Sequence, residues 1–326
     1  MHQTISFRAM NTQIQVLVEP KSEGVNLASH IRQYFANAEA RFSRFLPDSE
    51  CSHLNRHAGS RCLVSLEMAE LLEQSQYHFE RTEGIFTIAI LPALERAGYV
   101  GSFETLQQHE IEKFSGSDPL IPVSAKHTHL DYDRKMQSVL LTSQQRIDLG
   151  GIGKSWTVQG LAADLRSDWQ VQRGLIQAGG DVEVWGGAAD AEPWVIAVAN
   201  PQSEDPLDEA LLWMRDGAIA TSSTQRRRWE TSEGSKHHLI DPRTMEPSQS
   251  SVVQCSVVGA HLVDCEIWAK VMCILGIEEG IALFKRKIER MEAVMYTNDG
   301  AVHHVKPAAK WFYGEWIGLR ADVVHE

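Results

Sequence analysis

The chain has 326 residues, of which 43% are hydrophobic, and a formal net charge of −12. That acidic balance argues against non-specific binding to nucleic acid or to an acidic membrane surface. No apolar run reaches the roughly 18 residues a membrane span needs, and Met1–Pro20 is polar and alternating, so no membrane insertion is expected.

Five cysteines are present, the first of them Cys51, and none forms a CxxC pair. They read as reduced thiols of a cytoplasmic protein, most of them core filler. Length alone suggests about two domains. No internal repeat or low-complexity tract is evident.

In chain order, Ile5 to Val18 predicts a hairpin with Met10-Asn11-Thr12 at its turn. A helix is expected from Ile31 to Phe45, ended by Pro47. Arg44-Phe45-Leu46-Pro47-Asp48-Ser49-Glu50, running on to Leu54-Asn55, reads as a helix end followed by the next N-cap. Leu66 to Thr82 has the period of an amphipathic helix, and residues 103–128 suggest a short helix and a surface loop.

Ser138 to Leu141 and Arg146-Ile147 form a β-prone run leading into Asp148-Leu149-Gly150-Gly151-Ile152-Gly153-Lys154-Ser155-Trp156. A helical pattern follows to about Leu165. Glycines where a strand hands over to a helix let a ligand approach the backbone, and a helix N-terminus offers free N–H groups. Lys154 adds a full charge there, which suggests a phosphate-binding turn. The spacing matches neither GxxxxGK[ST] nor GxGxxG, so a tight turn with an exposed lysine fits the residues equally well.

Gly174 to Trp185 predicts two strands joined at Gly179-Gly180-Asp181. Further strands are expected at Trp194–Ala199, Gly217–Thr221 and Val252–Val258, and residues 202–210 are acidic. Arg226-Arg227-Arg228 reads as a solvated basic loop. His237-His238 before Asp241-Pro242-Arg243-Thr244 lacks a third ligand at zinc spacing and reads as a strand end or a functional turn. Val263 to Leu275 predicts a helix stopped by Gly276, with Ile281 to Ile288 again helical. Val294–Thr297 and Ala301–His304 predict a last hairpin, placing His303 and His304 on a surface strand. Hairpins mixed with helices indicate an α+β fold rather than a doubly wound sheet.

The order of these segments resembles the ApbE-type family of FAD:protein FMN transferases. The likeness rests on Met10-Asn11-Thr12, Arg44-Phe45 through Asn55, Gly84-x-Phe86 through Pro92, the Asp148–Lys154 turn, Gly179-Gly180-Asp181, Ala220-Thr221-Ser222 and His238-x-x-Asp241-Pro242-Arg243-Thr244. It covers about Ser6 to His304.

The resemblance implies an ApbE-like α+β fold of mixed, mostly antiparallel sheets with flanking helices, and a single domain over residues 1–326. It also implies a reaction. FAD is split at its pyrophosphate, the FMN half passes to a Thr or Ser hydroxyl of a target flavoprotein, and AMP leaves. Such a transfer needs positioned phosphates, charge neutralisation and a base near the attacking hydroxyl. His238 matches the family's candidate base, with Asp241 orienting it. The pyrophosphate would lie on Gly150, Gly151, Gly153 and Lys154. Gly180, Asp181, Thr221 and Ser222 would border the flavin and adenine, with further FAD contacts at Met10, Asn55, Arg243 and Thr244.

The chain departs from the family pattern at several positions. Met245 and Ser223 stand where glycine is common, Gln159 and Thr87 where aspartate is common, and Ser155 follows Lys154 where the family commonly has glycine. In the helix ending at Gly276, where the family binds Mg²⁺ through Asp and Thr, the ungapped match puts Glu266 and Lys270. A shift by two would use Asp264 and put Trp268 at the threonine position. Metal ligation is thus expected of Glu266 or Asp264, unless the Lys270 ammonium stands in for the ion as a contact to FAD. With the helix altered and Met245 in the turn, a non-catalytic FAD-binding protein or flavin carrier is an alternative, as is an FAD pyrophosphatase with water as acceptor.

Overall fold

The computed structural model describes residues 3–20, 26–102, 130–187, 191–203, 205, 209–232 and 234–326. The expected short helix and loop at 103–128, and part of the acidic stretch 202–210, lie outside them. The chain folds as two compact units interleaved in sequence. The first comprises Met1–Phe35, Lys154–Gln225 and Ser250–Glu326, and the second Ala36–Gly153 and Arg226–Gln249.

The first unit is built on a nine-stranded sheet. From one edge its strands are Gln3–Ala9, Thr12–Glu19, Arg173–Ala178, Asp181–Trp185, Gly217–Ser223, Val252–Gly259, Glu292–Thr297, Val302–Val305 and Val323–His325. Every neighbouring pair is antiparallel except the last, which is parallel. The α+β expectation therefore holds. In Thr12–Glu19 the period-two pattern buries Ile14, Val16 and Val18 completely. Each such side chain contributes about 1.5–3 kcal/mol by leaving water.

A helix spanning Leu262–Lys287 packs on Gly217–Ser223 and Val252–Gly259. It breaks at Gly276, whose φ of 81° is outside helical geometry, which joins the two helical stretches expected from sequence. Its N-cap, His261, supplies no side-chain cap, and Val263 N–H instead donates to Gln159 Oε1 at 3.3 Å. Gln159, where the family commonly has aspartate, thus satisfies an otherwise open helix end. A three-stranded sheet, Gly314–Ile317, Ala210–Met214 and Trp194–Val198, packs through Ile196, Leu212 and Met214 onto Val184, Ile219 and Val258 of the large sheet.

In the second unit, helices Glu50–Arg56 and Leu66–Arg81 begin at serine caps. Ser49 Oγ accepts from Ser52 N–H at 3.0 Å and Ser65 Oγ from Met68 N–H at 3.2 Å. Glu50 ties the two ends together by accepting from Ser65 N–H at 2.6 Å and Ser65 Oγ at 2.7 Å. The central strand of a small sheet is Ser138–Leu140, flanked by Arg61–Leu63 and Asp131–Asp133. An aromatic core stacks Tyr99 on Trp229 at 5.1 Å, and buries Met245 with Leu94 and Ile240.

Several sequence expectations shift. The helix expected over Ile31–Phe45 spans Ala28–Phe42. The β-prone run does not hand over directly to a helix: the strand stops at Leu140, and the next helix begins at Gly153. A turn intervenes, held by Gln145 N–H donating to Thr142 O at 3.0 Å and Thr142 N–H donating to Gln145 Oε1 at 2.8 Å. His304 is not a surface residue. It is paired with buried Glu292 at 3.0 Å, while His303 contacts His325 of the parallel edge strand.

Candidate functional site

In the first unit, strand pairing lines up three of the motif segments, and an ion pair adds Lys154. Met10 and Asn11 make the two-residue hairpin turn with φ of 49° and 56°, the left-handed values such a turn requires. Gly179 N–H donates to Gln13 O at 3.2 Å, and a Cβ on Gly179 would lie 2.7 Å from Thr12 Oγ1. Asp181 pairs across the sheet with Ala220, and Thr221 N–H donates to Gly180 O at 3.0 Å. A Cβ on Gly180 would sit 3.0 Å from Thr221 O, so a side chain there would force these strands apart. Thr221 Oγ1 in turn shares a 2.8 Å hydrogen bond with Ser256 Oγ. Lys154 forms an ion pair with Asp181, both largely buried. Gly180, Asp181, Thr221 and Lys154 are therefore direct neighbours, the Met10-Asn11 turn leads into the Thr12 and Gln13 that contact Gly179, and Ser222 follows Thr221 in the same strand.

Lys154, expected as a charge for phosphate, is paired in this structure with the Asp181 carboxylate.

The second unit holds the other candidates. Asn55 clamps the backbone before the glycine turn: its Nδ2 donates to Ile147 O at 2.8 Å and its Oδ1 accepts from Ile147 N–H at 2.7 Å. Asp148 follows, with Oδ2 2.6 Å from Arg44 Nε and Oδ1 accepting from Gly150 N–H at 2.9 Å. Arg44 also donates to Tyr99 O at 2.8 Å and lies over the Tyr99 ring at 4.7 Å. Ile152 and Gly153 N–H groups donate to Leu149 O at 3.1 and 2.7 Å. The N–H groups of Gly150 and Gly153, two of the residues expected to hold phosphate, thus have partners inside the turn in the Asp148 carboxylate and the Leu149 carbonyl. Burial pushes the neighbouring Cys51 thiol well up, with Asp148 adding to the effect, so this cysteine is an inert core group.

The two adjacent histidines have different environments. His237 accepts from Leu239 N–H at Nδ1, at 3.3 Å, and its Nε2 faces Ser248 O at 3.0 Å. That partner set assigns a neutral ring with the proton on Nε2. Burial pulls its pKa below the ordinary value, with the Arg228 charge acting the same way. His238, just beyond the strand end, is half-buried. Asp241, 8% exposed, is engaged by Arg243: Oδ1 accepts from Arg243 N–H at 2.9 Å, and Nη2 donates to Oδ2 at 2.7 Å. The carboxylate expected to orient His238 therefore fixes the turn that follows it. Thr244 N–H closes that turn by donating to Asp241 O at 3.2 Å. Met245 occupies the left-handed region, φ 60°, which accounts for glycine being common there in the family, and its side chain is buried among Tyr99, Trp229 and Ile240.

The magnesium ion that the resemblance implies would be held by residues of the long helix, Glu266 and Lys270 or Asp264 and Trp268. Lys270 Nζ stands 3.8 Å from Glu266 Oε1, with side-chain exposures of 14% and 8%. An ammonium has no lone pair to donate and repels a cation beside it. Asp264 is half-exposed, and the two-residue shift that would use it puts the fully buried Trp268, packed on Phe284 at 5.6 Å, at the second ligand position. Among the described residues no three His, Cys, Asp or Glu side chains gather as a metal site. This donor set does not fit Mg²⁺.

The likeness to known proteins extends over most of the chain. An FAD:protein FMN transferase of Vibrio cholerae is 22% identical over 292 residues, covering 89% of this chain and 86% of that protein. One of Klebsiella pneumoniae is 24% identical over 298 residues, covering 90% and 89%. Among solved structures, the ApbE protein of Thermotoga maritima superposes with a TM-score of 0.77 at 22% identity, covering 93% of this chain and 96% of that one. The flavin transferase ApbE of Vibrio cholerae gives 0.76 at 20%, covering 96% and 99%. The ApbE family profile matches residues 10–295, and the chain belongs to the ApbE family.

Proposed function

We infer that this chain is an FAD:protein FMN transferase, with residues 1–326 acting as one functional domain. It moves the FMN moiety of FAD onto a Thr or Ser hydroxyl of a target flavoprotein and releases AMP. The observation that carries the reading is that strand pairing brings Gly180 and Asp181 beside Ala220 and Thr221 and an ion pair adds Lys154, within a chain matched by the family along most of its length. The cluster has the small residues and main-chain polar groups that a flavin nucleotide needs for close approach.

In the transfer, the acceptor oxygen forms a bond to the FMN phosphorus while the bond from that phosphorus to the AMP phosphate oxygen breaks. His238 takes the proton from the attacking hydroxyl. It is favoured over His237, whose two ring nitrogens face Leu239 N–H and Ser248 O. Asp241 and Arg243 act as positioning residues by holding the turn beyond His238, and Thr244 closes it. Gly151 and its neighbours Gly150 and Gly153 shape the turn on the approach to Lys154, while Asn55 anchors it from behind.

Among the described residues no helix is long and apolar enough to cross a membrane. All five cysteines are free and buried. We place the protein in the cytoplasm, acting on a cytoplasmic target or on a membrane flavoprotein reached from that side.

The test is incubation with FAD and candidate acceptors, reading AMP release and in-gel flavin fluorescence together. Covalent flavin on the acceptor with matching AMP supports transfer. AMP without flavin attachment identifies a pyrophosphatase, and FAD binding without AMP identifies a flavin carrier.

A further inference from the structure

The Lys270–Glu266 pair lies on the long helix, which packs on the motif strand Gly217–Ser223. The long helix runs along strand Gly217–Ser223, with Cys265 Sγ 3.6 Å from Ala218 O and Cys273 Sγ 3.5 Å from Ser222 O. Lys270, one turn before Cys273, therefore stands at the level of Ala220 and Thr221, the strand positions bonded to Asp181 and Gly180. Its charge acts on the Cys273 thiol, which burial pushes up to about 12 and Lys270 pulls the other way.

The pair itself is incomplete. At 3.8 Å the contact with Glu266 Oε1 is too long for a hydrogen bond, and Glu266 Oε2 is buried without a hydrogen-bond partner among the described residues. Two charges drawn largely out of water cost more than a single long contact returns. An ammonium has three donors, and a phosphate would take two or more of them. Lys154 is already neutralised by Asp181.

We propose that Lys270, backed by Glu266, binds the pyrophosphate of FAD in the place of a divalent cation, so that this protein binds FAD without metal. This rests on the FMN-transferase reading for its ligand. In this arrangement phosphate oxygens engage the Lys270 N–H donors, while Glu266, 3.8 Å from Nζ, holds the ammonium charged. One ammonium carries less charge than Mg²⁺, so binding is weaker than a metal-assisted site would give.

The experiment is calorimetric titration of the full chain with FAD, in EDTA and in MgCl₂, and with riboflavin, which lacks phosphate. The expected result is an FAD affinity equal within about twofold in the two buffers. Lys270→Met should weaken FAD binding by about tenfold or more while leaving riboflavin binding unchanged, and Lys270→Arg should keep most of the affinity. Circular dichroism of each variant confirms folding, and the arginine variant keeps the test valid if the methionine variant unfolds. An FAD affinity that rises about tenfold or more with Mg²⁺ overturns the proposal, as does a folded Lys270→Met that binds FAD like the parent. Metal-independent FAD binding without AMP release or flavin transfer would overturn the transferase reading and leave this one standing. No FAD binding in either buffer would overturn both.

Discussion

Arg44 Nε lies 2.6 Å from Asp148 Oδ2, with the two side chains 5% and 12% exposed. This buried pair binds the residue ahead of the first loop to the residue that opens the glycine turn. Replacing one partner leaves an uncompensated charge in a low-dielectric setting, at a cost of about 3–5 kcal/mol. Asp148→Asn is therefore expected to lower the urea midpoint markedly. Arg44→Met combined with Asp148→Asn should cost less than the two single changes added together. Additive losses in that cycle would show that the charges do not interact.

His238→Ala should cut AMP release by about 10²-fold or more with FAD affinity nearly unchanged. His237→Ala should behave differently, because the imidazole holds Leu239 and Ser248 in place. Its effect is expected in thermal stability. A normally active His238→Ala would move the base elsewhere.

Glu183 gives a pH dependence of stability. It is 5% exposed, and burial raises its pKa from 4.5 to about 8, with Arg166 opposing the shift. Between those values the native state holds a proton that the unfolded state has lost. Stability therefore falls as pH rises through that window, by up to about 1.4 kcal/mol per pH unit. Glu183→Gln should flatten this part of the profile. Denaturant midpoints measured from pH 5 to 8 check it, and an equal slope in the variant would assign the dependence to other groups.

Met245 sets backbone strain against packing. Glycine would relieve a left-handed cost of about 1–2 kcal/mol. The same change removes a side chain 4% exposed in the Tyr99–Trp229 cluster. Large-to-small replacements of that kind cost about 2–5 kcal/mol. Packing wins, so Met245→Gly should be destabilised by a net of about 1–3 kcal/mol in equilibrium unfolding. A stabilised variant would show that the family's glycine is compatible with this core.

The sequence by itself determined the local grammar of the protein. Period-two runs marked the first hairpin and the Gly174–Trp185 hairpin, and Met10-Asn11 and Gly179-Gly180 marked their turns. The capping residues within Arg44–Glu50 indicated a new helix start, and Gly276 the break in the long helix, because caps, turns and glycine conformations depend on nearest neighbours. Motif order along the chain also indicated the family. The short strands Arg228–Thr231, Gly314–Ile317 and Val323–His325 were not legible, since they carry weak alternation and gain stability only from partners distant in sequence.

Only the tertiary structure decided where the charges go. Lys154 and Asp181 are far apart in sequence, yet they pair because antiparallel strands bring the second motif beside the helix start. Asp241 turns to Arg243, and Asn55 closes on Ile147, because each polar group buried by folding takes the nearest partner it can reach. Spacing along the chain records which residues are present. Which carboxylate neutralises which cation depends on strand register and burial, and those are properties of the packed molecule.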